Sequence, residues 1–179
     1  MKTGIAFTLI AGCYALSSPN PVIKTMARGM SLLKPIFAVE AQLQAAILGS
    51  SVDEEMIKSE IEELKKKNKV LIYTYGLSPF STEAIGLLEG AGYEYTKVEL
   101  GAEWFLLGPE ASVTRVALSK EVDNGATSLP KIFIGGKCIG GCSDLAGWVE
   151  NGELAILMKQ AGVPKMGEGG KKSPWPFFQ

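Results

Sequence analysis

Few side chains in this 179-residue chain can carry covalent or acid–base chemistry: there are three cysteines, Cys13, Cys138 and Cys142, and no histidine. Without an imidazole there is no Ser-His-Asp or Cys-His nucleophile pair, no histidine-containing zinc site and no imidazole switch near neutral pH. Three thiols are also too few for a disulfide framework or a closed four-thiolate metal site. Cys138 and Cys142 stand in C-x-x-x-C spacing and admit three readings. They could be small buried hydrophobes at a strand end and a helix start, a reactive thiol at Cys142 activated by its helix N-terminus, or a regulatory disulfide. The remaining candidates are the hydroxyls of Ser78-Pro79-Phe80-Ser81. Ser78 suits a helix N-cap, and with no histidine to take its proton it lacks the base that a serine nucleophile needs.

These residues fall at the joints of a regular alternation. Asp53, Glu54 and Glu55 open a predicted helix in which Met56, Ile57, Ile61 and Leu64 form an apolar stripe. Lys65, Lys66 and Lys67 close it, acids first and bases last as the macrodipole favours. Val70–Tyr75 is a continuous apolar run of the kind that fills a buried central strand. Residues 81–89 read as a helix stopped by Gly90 and Gly92, 93–100 as a second strand, and 110–122 as a core helix with Val113, Val116, Ala117 and Leu118 inward. Lys131–Ile134, the turn Gly135-Gly136 and residues 137–139 form a hairpin, and helical patterns over 144–151 and 153–161 follow. This order implies an α/β domain over 51–163, with a mixed sheet of about four strands flanked by helices.

Charge and hydropathy set the flanks apart. Residues 1–50 hold Lys2, Lys24, Arg28 and Lys34 against Glu40, so the remainder of a chain with net charge -1 is acidic. That balance excludes the basic footprint of a nucleic-acid binder. Residues 1–17 read as a signal peptide, with Lys2 before an apolar run over residues 5–16 that is shorter than the ~20 residues of a transmembrane anchor. Residues 18–50 continue basic and acid-poor, as a transit-like segment of a leader to a plastid with extra membranes, or as a linker. Simple secretion or residence in the endoplasmic reticulum, and a basic amphipathic helix on a membrane surface, are the alternatives. Residues 164–179 read as a disordered Gly/Lys/aromatic tail ending in Trp175, Phe177 and Phe178, a candidate partner-docking peptide. The apolar loop Trp104-Phe105-Leu106-Leu107 either packs on the core or meets a partner.

Two motifs carry a resemblance. Cys138-Ile139-Gly140-Gly141-Cys142-Ser143-Asp144-Leu145 resembles the I-G-G-C-x-D-L segment of the glutaredoxins, and Ser128-Leu129-Pro130 resembles their T-V-P. The resemblance spans about residues 52–163 and implies a thioredoxin-like fold, a cis Pro130 and a groove for glutathione. By that resemblance, the backbone of Leu129 beside Pro130 meets the backbone of glutathione. The turn Gly141-Cys142-Ser143-Asp144 meets its γ-glutamyl end, with helix N–H groups for the carboxylate and Asp144 for the ammonium.

The family's C-P-Y-C or C-x-x-S centre is Ser78-Pro79-Phe80-Ser81 here. A helix N-terminus can lower a thiol pKa from ~8.5 towards ~3.5–7.5, but a serine hydroxyl stays far above that range and forms no mixed disulfide. Ordinary dithiol exchange at Ser78 and Ser81 is therefore expected to be absent, which leaves a non-redox glutathione-binding or interaction module, a pseudoenzyme. The alternative is a glutathione oxidoreductase or transferase acting through Cys142, or through a glutathione thiolate held by Ser78, by analogy with transferases of the same fold. Two cationic positions of the family are also changed: its lysine is Tyr75 and its arginine before T-V-P is Thr127.

Overall fold

The computed structural model describes residues 20–23, 25–26, 33–49 and 51–166. Its elements are α1 (Lys34–Leu48), α2 (Glu54–Lys67), β1 (Val70–Tyr75), α3 (Pro79–Gly90), β2 (Thr96–Gly101), α4 (Pro109–Ser119), β3 (Lys131–Ile134), β4 (Lys137–Gly140), α5 (Cys142–Glu150) and α6 (Leu154–Gln160). The four strands form one mixed sheet in the order β2-β1-β3-β4. β1 runs parallel to β2, while β1–β3 and β3–β4 are antiparallel. The α/β sheet of four strands expected from the alternation of elements is thus the observed fold.

Strand periodicity divides the core between the two faces of the sheet. Val70, Ile72, Ile132 and Ile134 pack with Ala84, Leu87 and Leu88 of α3, Leu145 of α5 and Met158 of α6. Leu71, Tyr73, Tyr75 and Phe133 pack on the opposite face with Ile57 and Ile61 of α2 and Val113 and Leu118 of α4. Both faces of β1 are covered, which is why its sequence shows no polar alternation.

α2 and α3 start at residues whose side chains satisfy orphan N–H groups. Asp53 caps α2, its carboxylate accepting from the N–H groups of Glu55 at 2.9 Å and Met56 at 3.2 Å. Pro79 opens α3 behind Ser78, a position where the missing proline N–H costs nothing. Gly140 adopts a φ of 105° as β4 turns into α5. A Cβ there would collide with the Asp144 carboxylate, so glycine is required.

Several expected positions move. Met56 is not part of the α2 stripe: it is 56% exposed, while Ile57 and Ile61 alone of that group are fully buried. They lie four residues apart, and Met56 points off their face by one helical step of ~100°. β2 begins at Thr96 instead of residue 93, and Tyr93 instead makes an isolated antiparallel bridge with Lys165. The N–H of Met166 donates to Gly92 O at 2.7 Å, so the first residues of the stretch read as a tail pair back onto the domain. Trp175, Phe177 and Phe178 lie outside the described residues, as do residues 1–19.

α4 ends at Ser119, earlier than expected, and its buried set is wider than its apolar stripe. Ser112, Thr114 and Arg115 are buried beside Val113 and Leu118, whereas Val116 is only half-buried. α1 packs on α4, and Arg115 bonds to Glu40 of α1. Ser112 Oγ donates to Gly108 O and Thr114 Oγ1 to Glu110 O, so their burial leaves no hydroxyl unpaired. Ala41 of α1 is buried at this contact, and the chain leaves α1 through Gly49, where a side chain would strike Val113. The opposite face of α1 presents Ile36, Val39, Leu43 and Ile47 to solvent. Among the described residues, no helix is long and apolar enough to cross a membrane.

Candidate functional site

At the C-terminal end of β1, the β3–β4 hairpin and the starts of α3 and α5 meet around a groove of about 330 Å³. The Leu129–Pro130 peptide is cis, as the resemblance implies. All six residues expected to touch glutathione, Leu129, Pro130, Gly141, Cys142, Ser143 and Asp144, line this one groove together with Ser78. Gly141 permits the close approach that brings them together, since a Cβ there would lie 3.2 Å from Pro130 O.

The two serines have structural partners. Ser78 is 6% exposed and is the N-cap of α3, its hydroxyl oxygen accepting from the Ser81 N–H at 3.4 Å. Ser81 is buried, and its hydroxyl accepts from the Tyr75 N–H at 3.2 Å. It thus ties the end of β1 to the first turn of α3.

The thiols occupy different environments. Cys138 packs at the edge of the cluster containing Phe133, and Cys142 belongs to the cluster on the opposite face containing Leu145. Both are free, so no disulfide joins them. Burial, reinforced by the nearby charges of Glu83 and Asp144, pushes the Cys142 thiol up to about 12. Burial also raises Cys138, against a hydrogen bond to the backbone of Gly140. The N-terminus of α5 therefore does not make Cys142 a thiolate, because desolvation of the charged form outweighs the helix dipole.

Asp144 accepts from the Gly141 N–H at 2.8 Å. One of its oxygens therefore serves the α5 cap, and the exposed carboxylate faces the groove. The first N–H groups of α5 have no intrahelical acceptor, which gives this end of the groove an affinity for anions.

At its other end the groove holds residues that sequence reasoning did not single out for a site. Arg115, only 2% exposed, reaches it from α4. Its Nε donates to Thr127 O at 3.2 Å and its Nη1 to the Glu40 carboxylate at 2.9 Å. Thr127 thus supplies a carbonyl to a guanidinium that comes from a different element. Phe37 of α1 meets Trp104 edge to face at 5.6 Å, and both line the groove. The apolar loop is divided: Trp104 and Leu107 pack inward, whereas Phe105 and Leu106 are exposed. Arg115 carried one usable signal, a cation amid the apolar positions Val113, Val116, Ala117 and Leu118 of a helix read as core. Among the described residues, no group of three or more cysteines and acids converges to hold a metal ion.

No family model matches the chain. Known proteins nevertheless resemble it over the domain just described. A glutaredoxin of Vernicia fordii is 33% identical over 110 residues, covering 62% of this chain and 97% of the relative. The chloroplastic monothiol glutaredoxin-S12 of Arabidopsis thaliana is 29% identical over 161 residues, covering 88% of this chain and 84% of the relative. The structure of a buckwheat glutaredoxin–glutathione complex superposes with a TM-score of 0.54 at 23% identity, over 61% of this chain and 93% of that one, and so shares the fold. With this sheet order, the cis proline between the sheet and its groove, and near-complete coverage of a 33% identical relative, the chain belongs to the glutaredoxins.

Proposed function

We propose that this glutaredoxin-fold protein binds glutathione but does not carry out dithiol exchange at the family's centre, and that it acts as a non-redox binding or interaction module. The observation that carries this reading is the pair of buried serines, Ser78 and Ser81, at the β1–α3 turn. Their hydroxyls are committed to the α3 cap and to the Tyr75 N–H. Exchange must pass through a mixed disulfide, which a hydroxyl cannot form. The neutral, buried Cys142 does not offer a replacement thiolate at neutral pH.

Glutathione is the proposed ligand because the groove offers groups suited to each of its ends. The Leu129–Pro130 edge provides extended backbone, the start of α5 provides N–H donors, and Arg115 provides a cation. The glutathione complex of the buckwheat neighbour supports the same assignment. The rival reading is a transferase in which the hydroxyl of Ser78, lining the groove, donates a hydrogen bond to a glutathione thiolate.

The test is a glutathione–disulfide exchange assay on the purified protein, with calorimetric titration of glutathione alongside. Binding without turnover is the expected result. Turnover abolished by Cys142→Ala would overturn the non-redox reading, and transferase turnover abolished by Ser78→Ala would establish the rival. Substituting Ser78 and Ser81 together by cysteine should create measurable exchange, since the helix N-terminus would then act on a thiol. We further propose that residues 1–50, of which α1 stays docked on the domain, carry the information that directs the protein to a plastid, a reading supported by the chloroplastic relative. A fluorescent fusion of residues 1–50 found outside plastids would sink it.

A further inference from the structure

The end of the groove formed by α1 and α4 contains an anion site that already holds an anion from the chain itself. The Arg115 guanidinium is buried and lies 5.8 Å from the centre of the Trp104 ring. Its Nη1 meets the Glu40 carboxylate at 2.9 Å and, more distantly, Gln44 Oε1 at 3.5 Å. Tyr75 lines the same groove at 5% exposure, and its buried hydroxyl lies against the Arg115 guanidinium with no acceptor for its proton. That hydroxyl lies in the field of Arg115, Glu40 and Glu103. Buried polar groups are nearly always satisfied, so a phenol whose proton has no acceptor, beside a guanidinium in an open groove, marks a place for one.

α1 is arranged to reach this place. Phe37, Glu40 and Gln44 recur at helical spacing, and each touches the groove rim. Phe37 O accepts from Thr127 Oγ1 at 3.2 Å, Glu40 pairs with Arg115, and Gln44 Nε2 donates to Trp104 O at 3.2 Å. The Glu40 side chain keeps 29% exposure, against 2% for Arg115. The carboxylate therefore has water at its back and can leave without stranding a buried negative charge, whereas Arg115 stays fixed to Thr127.

We propose that Glu40 of α1 occupies, in the free protein, the seat beside Arg115 and Tyr75 that a ligand carboxylate would take, and so acts as an internal competitor. An incoming carboxylate displaces Glu40 and takes both the guanidinium and the phenol, so α1 sets the affinity of the groove for anionic ligands. The choice of glutathione as that ligand rests on the function proposed above, while the seat itself rests on the geometry of these three residues.

The experiment is calorimetric titration of the full chain with glutathione, comparing wild type with Glu40→Gln and Tyr75→Phe, whose folding is checked by circular dichroism. Glu40→Gln should bind roughly tenfold more tightly, the scale of one charge-assisted hydrogen bond freed for the ligand. Tyr75→Phe should bind more weakly than wild type. If wild type binds but Glu40→Gln binds equally or less well, the internal competitor is refuted and the glutathione reading stands. If no variant binds glutathione, the glutathione reading fails, and a second probe decides the seat. Sodium acetate is added to wild type while hydrogen exchange is followed in residues 33–49, with sodium chloride at equal ionic strength as the control. Faster exchange with acetate alone supports the seat, and an equal response to the two salts overturns it.

Discussion

At the β1–α3 turn, the side chain of Ser78 serves as the cap of α3. Ser78 makes the most of what a hydroxyl can do there, accepting from the Ser81 N–H across a rather long 3.4 Å. Ser78→Ala should therefore cost about 1 kcal/mol or less, the lower half of the usual cap range, as read by urea unfolding. A loss several times larger would assign Ser78 a role beyond capping. Cys142 illustrates how environment outweighs position. It begins a helix, yet burial holds its thiol near 12. Iodoacetamide labelling of the folded protein should leave Cys142 largely unmodified at pH 7.5, with the rate rising steeply only above pH 10. Rapid labelling at neutral pH would reinstate it as a candidate nucleophile.

Among the elements, α1 contributes most to the groove that the sequence did not disclose. Its outward positions Ile36, Val39, Leu43 and Ile47 are more apolar than its docked positions Phe37, Ala41, Gln44 and Ala45. A reading by periodicity buries the wrong face of α1, so its role as a wall of the site was not legible. β1, β3, α3 and α5 were legible because their apolar patterns match their burial. The cis Pro130 and the Gly141–Asp144 turn were legible through motifs that encode backbone shape. Arg115 was not, because its partners Glu40 and Thr127 lie 75 and 12 residues away and meet only once α1 is docked. Glycine substitutions test that docking. Gly49→Val would drive a side chain into Val113 and the Ala45 carbonyl, so it should destabilise by about 1–3 kcal/mol and raise hydrogen exchange across residues 33–49. Gly86, within α3, has nothing within 4 Å of an added Cβ. Gly86→Ala should stabilise by about 0.5–1 kcal/mol through helix propensity alone. Equal effects of the two substitutions would mean that α1 contributes nothing to stability.

The whole molecule carries a consequence of burying so many weak acids. Tyr73 and Tyr75 are each raised to about 12 by burial, Tyr95 to about 12 by burial and its bond to Glu89, and Cys142 to about 12 by burial with Glu83 and Asp144 nearby. In the unfolded chain these groups titrate at ~8.5 for cysteine and ~10 for tyrosine. Between those values and about 12, the folded protein keeps protons that the unfolded chain has released. The unfolded state then binds fewer protons, so stability falls as pH rises. The stabilisation is complete below ~8.5 and should first erode through Cys142, then more steeply above ~10 as the tyrosines join. Chemical denaturation at intervals from pH 7 to 11 should show this two-stage decline. Cys142→Ala should be less stable at neutral pH, where it loses packing, yet flatter between pH 8.5 and 10, where its proton no longer counts. A wild-type profile as flat as that of Cys142→Ala over this window would show that the thiol ionises as freely in the folded protein as in the unfolded chain. Cys142 would then be accessible, and the case for exchange chemistry at this residue would reopen.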